Sequence, residues 1–128
     1  MRYQTIDELA DQLAQAWTKS TSADPERWSR ENPALGQCAV TALVVQDVFG
    51  GDLLRAQVRG VSHYWNRLSS GQEVDLTRQQ FGDIADFPAG EFKTRGFVLS
   101  FPDTVERYLS LSRTLGLSSA TEVAPSDR

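Results

Sequence analysis

The sequence predicts an α+β fold in which a buried helix headed by a cysteine packs on an antiparallel sheet. Three observations carry that expectation. The chain opens with an amphipathic helical pattern, a nearly unbroken apolar run spans Cys38 to Phe49, and short alternating segments follow before a last helical stretch. At 128 residues the chain has the length of one ordinary domain and can bury enough surface to fold without a disulfide framework or a structural metal. One domain over residues 1–117 is expected. Residues 118–128 carry almost no apolar material and read as a mobile C-terminal tail.

Thr5-Ile6-Asp7-Glu8 has the form of a capping box, and Ile6, Leu9, Leu13, Ala16 and Trp17 recur behind it at helical spacing. A first helix should run to about Lys19. Ser20 to Gln37 is polar, broken by Asp24-Pro25, Asn32-Pro33 and Gly36, and Trp28 is its large anchor, so it reads as a long ordered loop. The run CAVTALVVQDVF is apolar almost all round and is followed by Gly50-Gly51, a buried helix with its stop signal. Its β-branched content would suit a strand, but its length favours the helix.

Leu53 to Arg59 alternates as a half-buried strand should. A second strand is expected over Val61–Leu68 and a third over Gln72–Thr77, joined through Ser69-Ser70-Gly71. Gln79 to Gly90 reads as a covering loop pinned by Phe81 and Phe87, and Phe92 to Phe101 as a fourth strand interrupted at Gly96. Asp103-Thr104-Val105-Glu106 opens a last helix that Gly116 ends.

Composition excludes several function classes. Thirteen Lys and Arg against seventeen Asp and Glu leave a formal charge of −4, which disfavours a surface that tracks phosphates, so nucleic acid is not an expected partner. No stretch reaches the roughly 18–20 apolar residues of a membrane span. The single Cys forbids an internal disulfide, and no secretory signal opens the sequence, which together point to the cytoplasm. No cofactor is called for, and no feature bears on oligomeric state.

Three residues could carry chemistry. A lone Cys is most often a small buried hydrophobe, but Cys38 heads the apolar helix, where unsatisfied N–H groups and the positive end of the macrodipole favour its anion. His63 lies in the second strand and Asp75 in the third. A three-residue loop with Gly71 in the left-handed conformation pairs Leu68 with Gln72 and sets Arg67 against Glu73. His63 and Asp75 then share a face as diagonal neighbours, ~7–8 Å apart at the backbone, a gap an imidazole spans. A loop one residue shorter or longer would send Asp75 to the opposite face. A thiolate nucleophile, a general base and a carboxylate that fixes the imidazole tautomer form a complete set for acyl transfer.

The order Cys38, His63, Asp75 resembles the papain-like superfamily in its transglutaminase-like and NlpC/P60-like branches. More locally, Asn32-Pro33-Ala34-Leu35-Gly36-Gln37-Cys38-Ala39, His63-Tyr64-Trp65-Asn66 and Asp75-Leu76-Thr77 with Gln80-Phe81 resemble the uncharacterised bacterial YunG-like proteins over about residues 24–115. The resemblance implies a compact papain-like core with Cys38 as nucleophile, His63 as base and Asp75 as orienter. It also implies an oxyanion hole formed by the backbone N–H of the nucleophile and an upstream side-chain amide, for which Gln37 and Asn32 are candidates. Trp28, Tyr64 and Trp65 are candidates to wall a substrate groove, with core packing as the competing role. The expected activity is cysteine-dependent hydrolysis or acyl transfer on a peptide, isopeptide or amide bond, with a peptide or small amide as ligand. Two other readings stay open: a binding or interaction module in which Cys38 is buried and His63 completes a hydrogen-bond network, and a metal site using Cys38, His63 and Asp75.

Overall fold

A computed structural model describes residues 3–82 and 87–117 of the chain. The expected tail over 118–128 and the middle of the covering loop lie outside them. Helix α1 (Ile6–Ala16) starts at the expected capping box: Thr5 Oγ1 accepts from the Glu8 N–H, and Glu8 Oε1 accepts from the Thr5 N–H. It buries Leu9, Leu13 and Ala16. The helix stops short of Lys19 because Trp17 turns extended and donates its indole N–H to Thr41 Oγ1 at 2.9 Å. Lys19–Thr21 forms a single 3₁₀ turn instead.

Helix α2 (Cys38–Phe49) has the expected bounds and buries Val40 through Val45 together with Val48. Gly50, at φ 76°, ends it. Strands β1 (Asp52–Val58), β2 (Val61–Arg67), β3 (Glu73–Val74) and β4 (Glu91–Lys93) form one sheet in the order β3-β2-β1-β4, and all pairings are antiparallel. Leu53, Tyr64 and α2 share one buried cluster with Leu9, Leu13, Tyr108 and Leu111. That cluster is the main core.

Three expectations about elements need correction. The third strand is two residues long, because the Asp75 carboxylate accepts from the Thr77 N–H at 3.2 Å and turns the chain out of the ladder. The fourth strand ends at Lys93. Thr94 then caps a short helix α3 (Arg95–Leu99) by accepting from the Phe97 N–H at 3.0 Å, so Phe97 to Phe101 is not extended pairing. Helix α4 (Pro102–Thr114) opens two residues early, with Phe101 at the cap, Pro102 in its first turn and Asp103 inside the helix. Arg95 binds Asp47 at 2.8 Å and Gln46 at 2.8 Å, tying α3 to α2.

The loop before α2 turns at Gly36, which sits at φ 74°. A Cβ there would approach Ser22 Oγ to 2.3 Å and the Ala23 backbone nitrogen to 2.8 Å. Gly36→Ala is therefore expected to destabilise the fold by about 2 kcal/mol or more, combining left-handed strain with a backbone clash. Equilibrium urea unfolding measures the loss.

Candidate active site

Strand β2 holds the site together. Side chains alternate along it, so Ser62, Tyr64 and Asn66 face α2 while His63 and Trp65 face the opposite side. Asn66 confirms the first face by donating to the Ala42 carbonyl at 2.9 Å. The two-residue turn Arg59-Gly60 closes on Val58 and Val61, which leaves the next backbone polar groups, those of Ser62, pointing away from β1. Because β3 pairs only with Asn66 and Arg67, no strand among the described residues covers that edge at Ser62. The first turn of α2 arrives there, and the Cys38 thiol donates to the Ser62 carbonyl at 3.6 Å.

His63 is fully buried. Its Nε2 lies 2.6 Å from Asp75 Oδ2, and the other Asp75 oxygen is held by the Thr77 N–H and hydroxyl. The contact expected from the hairpin register is present, with Arg67 opposite Glu73 and Gly71 at φ 94°. Trp65 stacks on the imidazole with ring centroids 5.5 Å apart, and Phe81 and Phe87 meet it edge-on at 4.8 and 5.6 Å. Nδ1 is buried and has no hydrogen-bond partner among the described residues.

Burial in this aromatic box works against a charged ring. The hydrogen bond that the ring gives to Asp75, hydrogen bonding with Cys38 and the charges of both outweigh it, and the His63 pKa is pushed up to about 9. The imidazolium is therefore the form favoured near neutrality. On the other side of the strand, burial raises the Tyr64 pKa, with Arg55 opposing and Cys38 adding to the rise.

Cys38 is half-buried and borders a cavity of about 570 Å³, within the range of small-molecule sites. Ser62, Tyr64, Gln80 and Phe81 border the same space. Helix α2 has no side-chain cap, so the N–H groups of its first turn are left without that partner beside the sulfur.

The other candidates separate. Gln37 is not turned toward the cleft: its amide donates to the Thr18 carbonyl at 3.0 Å and accepts from Thr21 Oγ1 at 2.8 Å, fastening the loop after α1. Asn32 donates to the Gln80 carbonyl at 3.3 Å and also does not line the cavity. Of the three aromatic groove candidates, Tyr64 lines it. Trp28 instead donates to the Pro33 carbonyl at 2.9 Å, and Trp65 packs behind His63 with its indole N–H on Glu73 at 2.9 Å. Strand parity already separates Trp65 from Tyr64. Gln80 has no chemical signal of its own in the sequence, yet it lines the cleft and braces the approach to Cys38 by accepting from the Gly36 N–H at 3.2 Å.

Among the described residues no group of three or more His, Cys, Asp or Glu could hold a metal ion. No helix among them is long and apolar enough to cross a membrane.

Comparison with known proteins gives two likenesses. The profile of the family described as YunG protein matches residues 5–118. "Uncharacterized protein YunG" of Bacillus subtilis (strain 168) is 41% identical over 69 residues, which is 54% of this chain and 56% of that protein. The match thus spans little more than half the length of that relative. No solved structure gives a significant match.

Proposed function

The chain belongs to the YunG protein family, and from its site we propose that it is a cysteine-nucleophile hydrolase or acyltransferase acting on a peptide, isopeptide or amide bond through a papain-like core. One observation carries the reading. A buried imidazole is anchored through Nε2 on Asp75, its Nδ1 has no partner among the described residues, and Cys38, which borders an open cleft, is close enough for its charge and hydrogen bonding to raise the ring's pKa. A buried polar atom without a partner is costly, and reacting sites are among the places where such an atom is retained.

In the proposed cycle the proton of the Cys38–His63 pair already rests on His63 Nδ1, as the imidazolium favoured near neutrality requires, and the sulfur attacks as thiolate at the carbonyl carbon of the bound amide. The carbonyl π pair moves to oxygen, where the uncapped first-turn N–H groups of α2, that of Cys38 first, would receive the negative charge. Collapse expels the amine, which takes its proton from His63, and leaves a thioester on Cys38. Water or a second amine then gives a proton to His63 and attacks the thioester. Collapse releases the acyl product and frees the sulfur as thiolate, and the proton stays on His63, which restores the starting pair. Asp75 holds the ring orientation and supports its charged form throughout.

The test is alkylation of Cys38 by iodoacetamide at neutral pH, in the wild type and in His63→Ala. The wild type should react roughly tenfold or more faster than the variant, because the imidazolium partner stabilises the nucleophilic thiolate. Exposure to an activated ester should also leave an acyl adduct on Cys38, seen as a mass increase in the wild type alone. Equal, slow alkylation in both proteins would overturn the proposal and favour a binding module, in which the thiol simply bonds the Ser62 carbonyl.

A further inference from the structure

The cleft beside Cys38 is basic although the chain carries a formal charge of −4. Among the described residues Arg27, Arg59 and Arg107 border it, against a single acid, Asp24. Two of the arginines have structural work. Arg27 is paired with Asp24 at 2.8 Å. Arg59 occupies a left-handed position at φ 52° and donates to the Phe81 carbonyl at 2.9 Å, holding the loop that covers His63.

Arg107 differs from Arg27 in its partners. It is half-buried on α4, and its two hydrogen bonds run to neutral oxygens, the Thr21 carbonyl at 3.4 Å and Thr104 Oγ1 at 3.2 Å. It forms no ion pair among the described residues. A guanidinium offers five donors in a planar fork suited to a carboxylate, and removing it from water without a counter-charge is unfavourable. Burial lowers its pKa, while the charges of Cys38 and Asp103 act the other way, so the guanidinium and the sulfur belong to one electrostatic neighbourhood. The surrounding wall is largely apolar, with Leu35, Val61, Phe81 and Phe101 among its residues.

We propose that Arg107 is an anion-recognition residue, and that the ligand of this cleft is an amide whose acyl or amine portion bears a carboxylate docked on that fork. A half-buried guanidinium with no ion pair among the described residues, beside a largely apolar wall, suits the planar fork of a carboxylate. The assignment of the amide rests on the cysteine-nucleophile reading. The anion site does not.

The experiment compares the alkylation rates of Cys38 by iodoacetate and by iodoacetamide, which share a leaving group and differ in charge. The rate ratio of anionic to neutral reagent should exceed that of glutathione in the wild type, fall on the order of tenfold in Arg107→Gln, and be partly kept in Arg107→Lys, where the charge survives without the fork. A wild-type ratio no higher than that of glutathione would overturn the anion site without reference to any variant, as would an unchanged ratio in a folded Arg107→Gln. Failure of the cysteine reading looks different: the iodoacetamide rate itself would be slow and indifferent to His63→Ala, whatever the ratio.

Discussion

Asp75→Asn is expected to bring the titration midpoint of His63 down from about 9 by roughly two units or more, into the ordinary imidazole range or below it. Burial opposes the charged ring and persists in the variant, while the hydrogen bond to a carboxylate and the charge of Asp75, which raise the midpoint, are both removed. Asn can still accept from Nε2–H, so the ring keeps its place and loses its charge partner. The protein has one histidine, and its Cε1 proton resonance therefore reports this midpoint directly in a pH titration by NMR. The same variant should alkylate at Cys38 about tenfold or more slowly at neutral pH, because a neutral ring no longer partners the thiolate. A midpoint that stays near 9 would mean that Asp75 does not hold the imidazolium, and the role given to it would fall.

The parts of this site that could be read from the sequence are those set by local rules. A three-residue turn with Gly71 last has one register, and that register brings His63 to Asp75. Helix α2 was legible because twelve apolar-rich residues ended by Gly50-Gly51 have few other solutions. The illegible parts depend on what lies across a tertiary contact. Gln37 sits next to Cys38 in the chain and is turned away from it by Thr18 and Thr21, partners sixteen to nineteen residues distant. Arg107 looks like any exposed position of an amphipathic helix until α4 is packed beside the cleft. The run from Phe97 to Phe101 is apolar and short, where strand and helix patterns coincide, and the Thr94 cap decides for helix. Trp65 is the instructive case, since alternation alone places it on the face of His63 and away from that of Tyr64.

Stability should fall with rising pH through the range in which His63 loses its proton. The folded-state value of about 9 lies above the ~6.5 of an unfolded histidine, so the native protein binds this proton more tightly than the unfolded chain. The resulting stabilisation is complete below ~6.5 and disappears as pH climbs through about 9. A displacement of that size corresponds to about 3 kcal/mol for a fully buried ring. Other groups titrate toward the alkaline end, burial-raised Tyr64 among them, so the wild type must be read against Asp75→Asn over the same buffers. Urea unfolding from pH 6 to 10 should show the difference between the two proteins shrinking as pH rises, with the variant less stable at the acid end and the curves drawing together near the alkaline end. The opposite slope, a wild type that gains on the variant as the solution becomes more alkaline, would mean that His63 is held neutral, and the imidazolium on which the proposed acyl transfer depends would be absent.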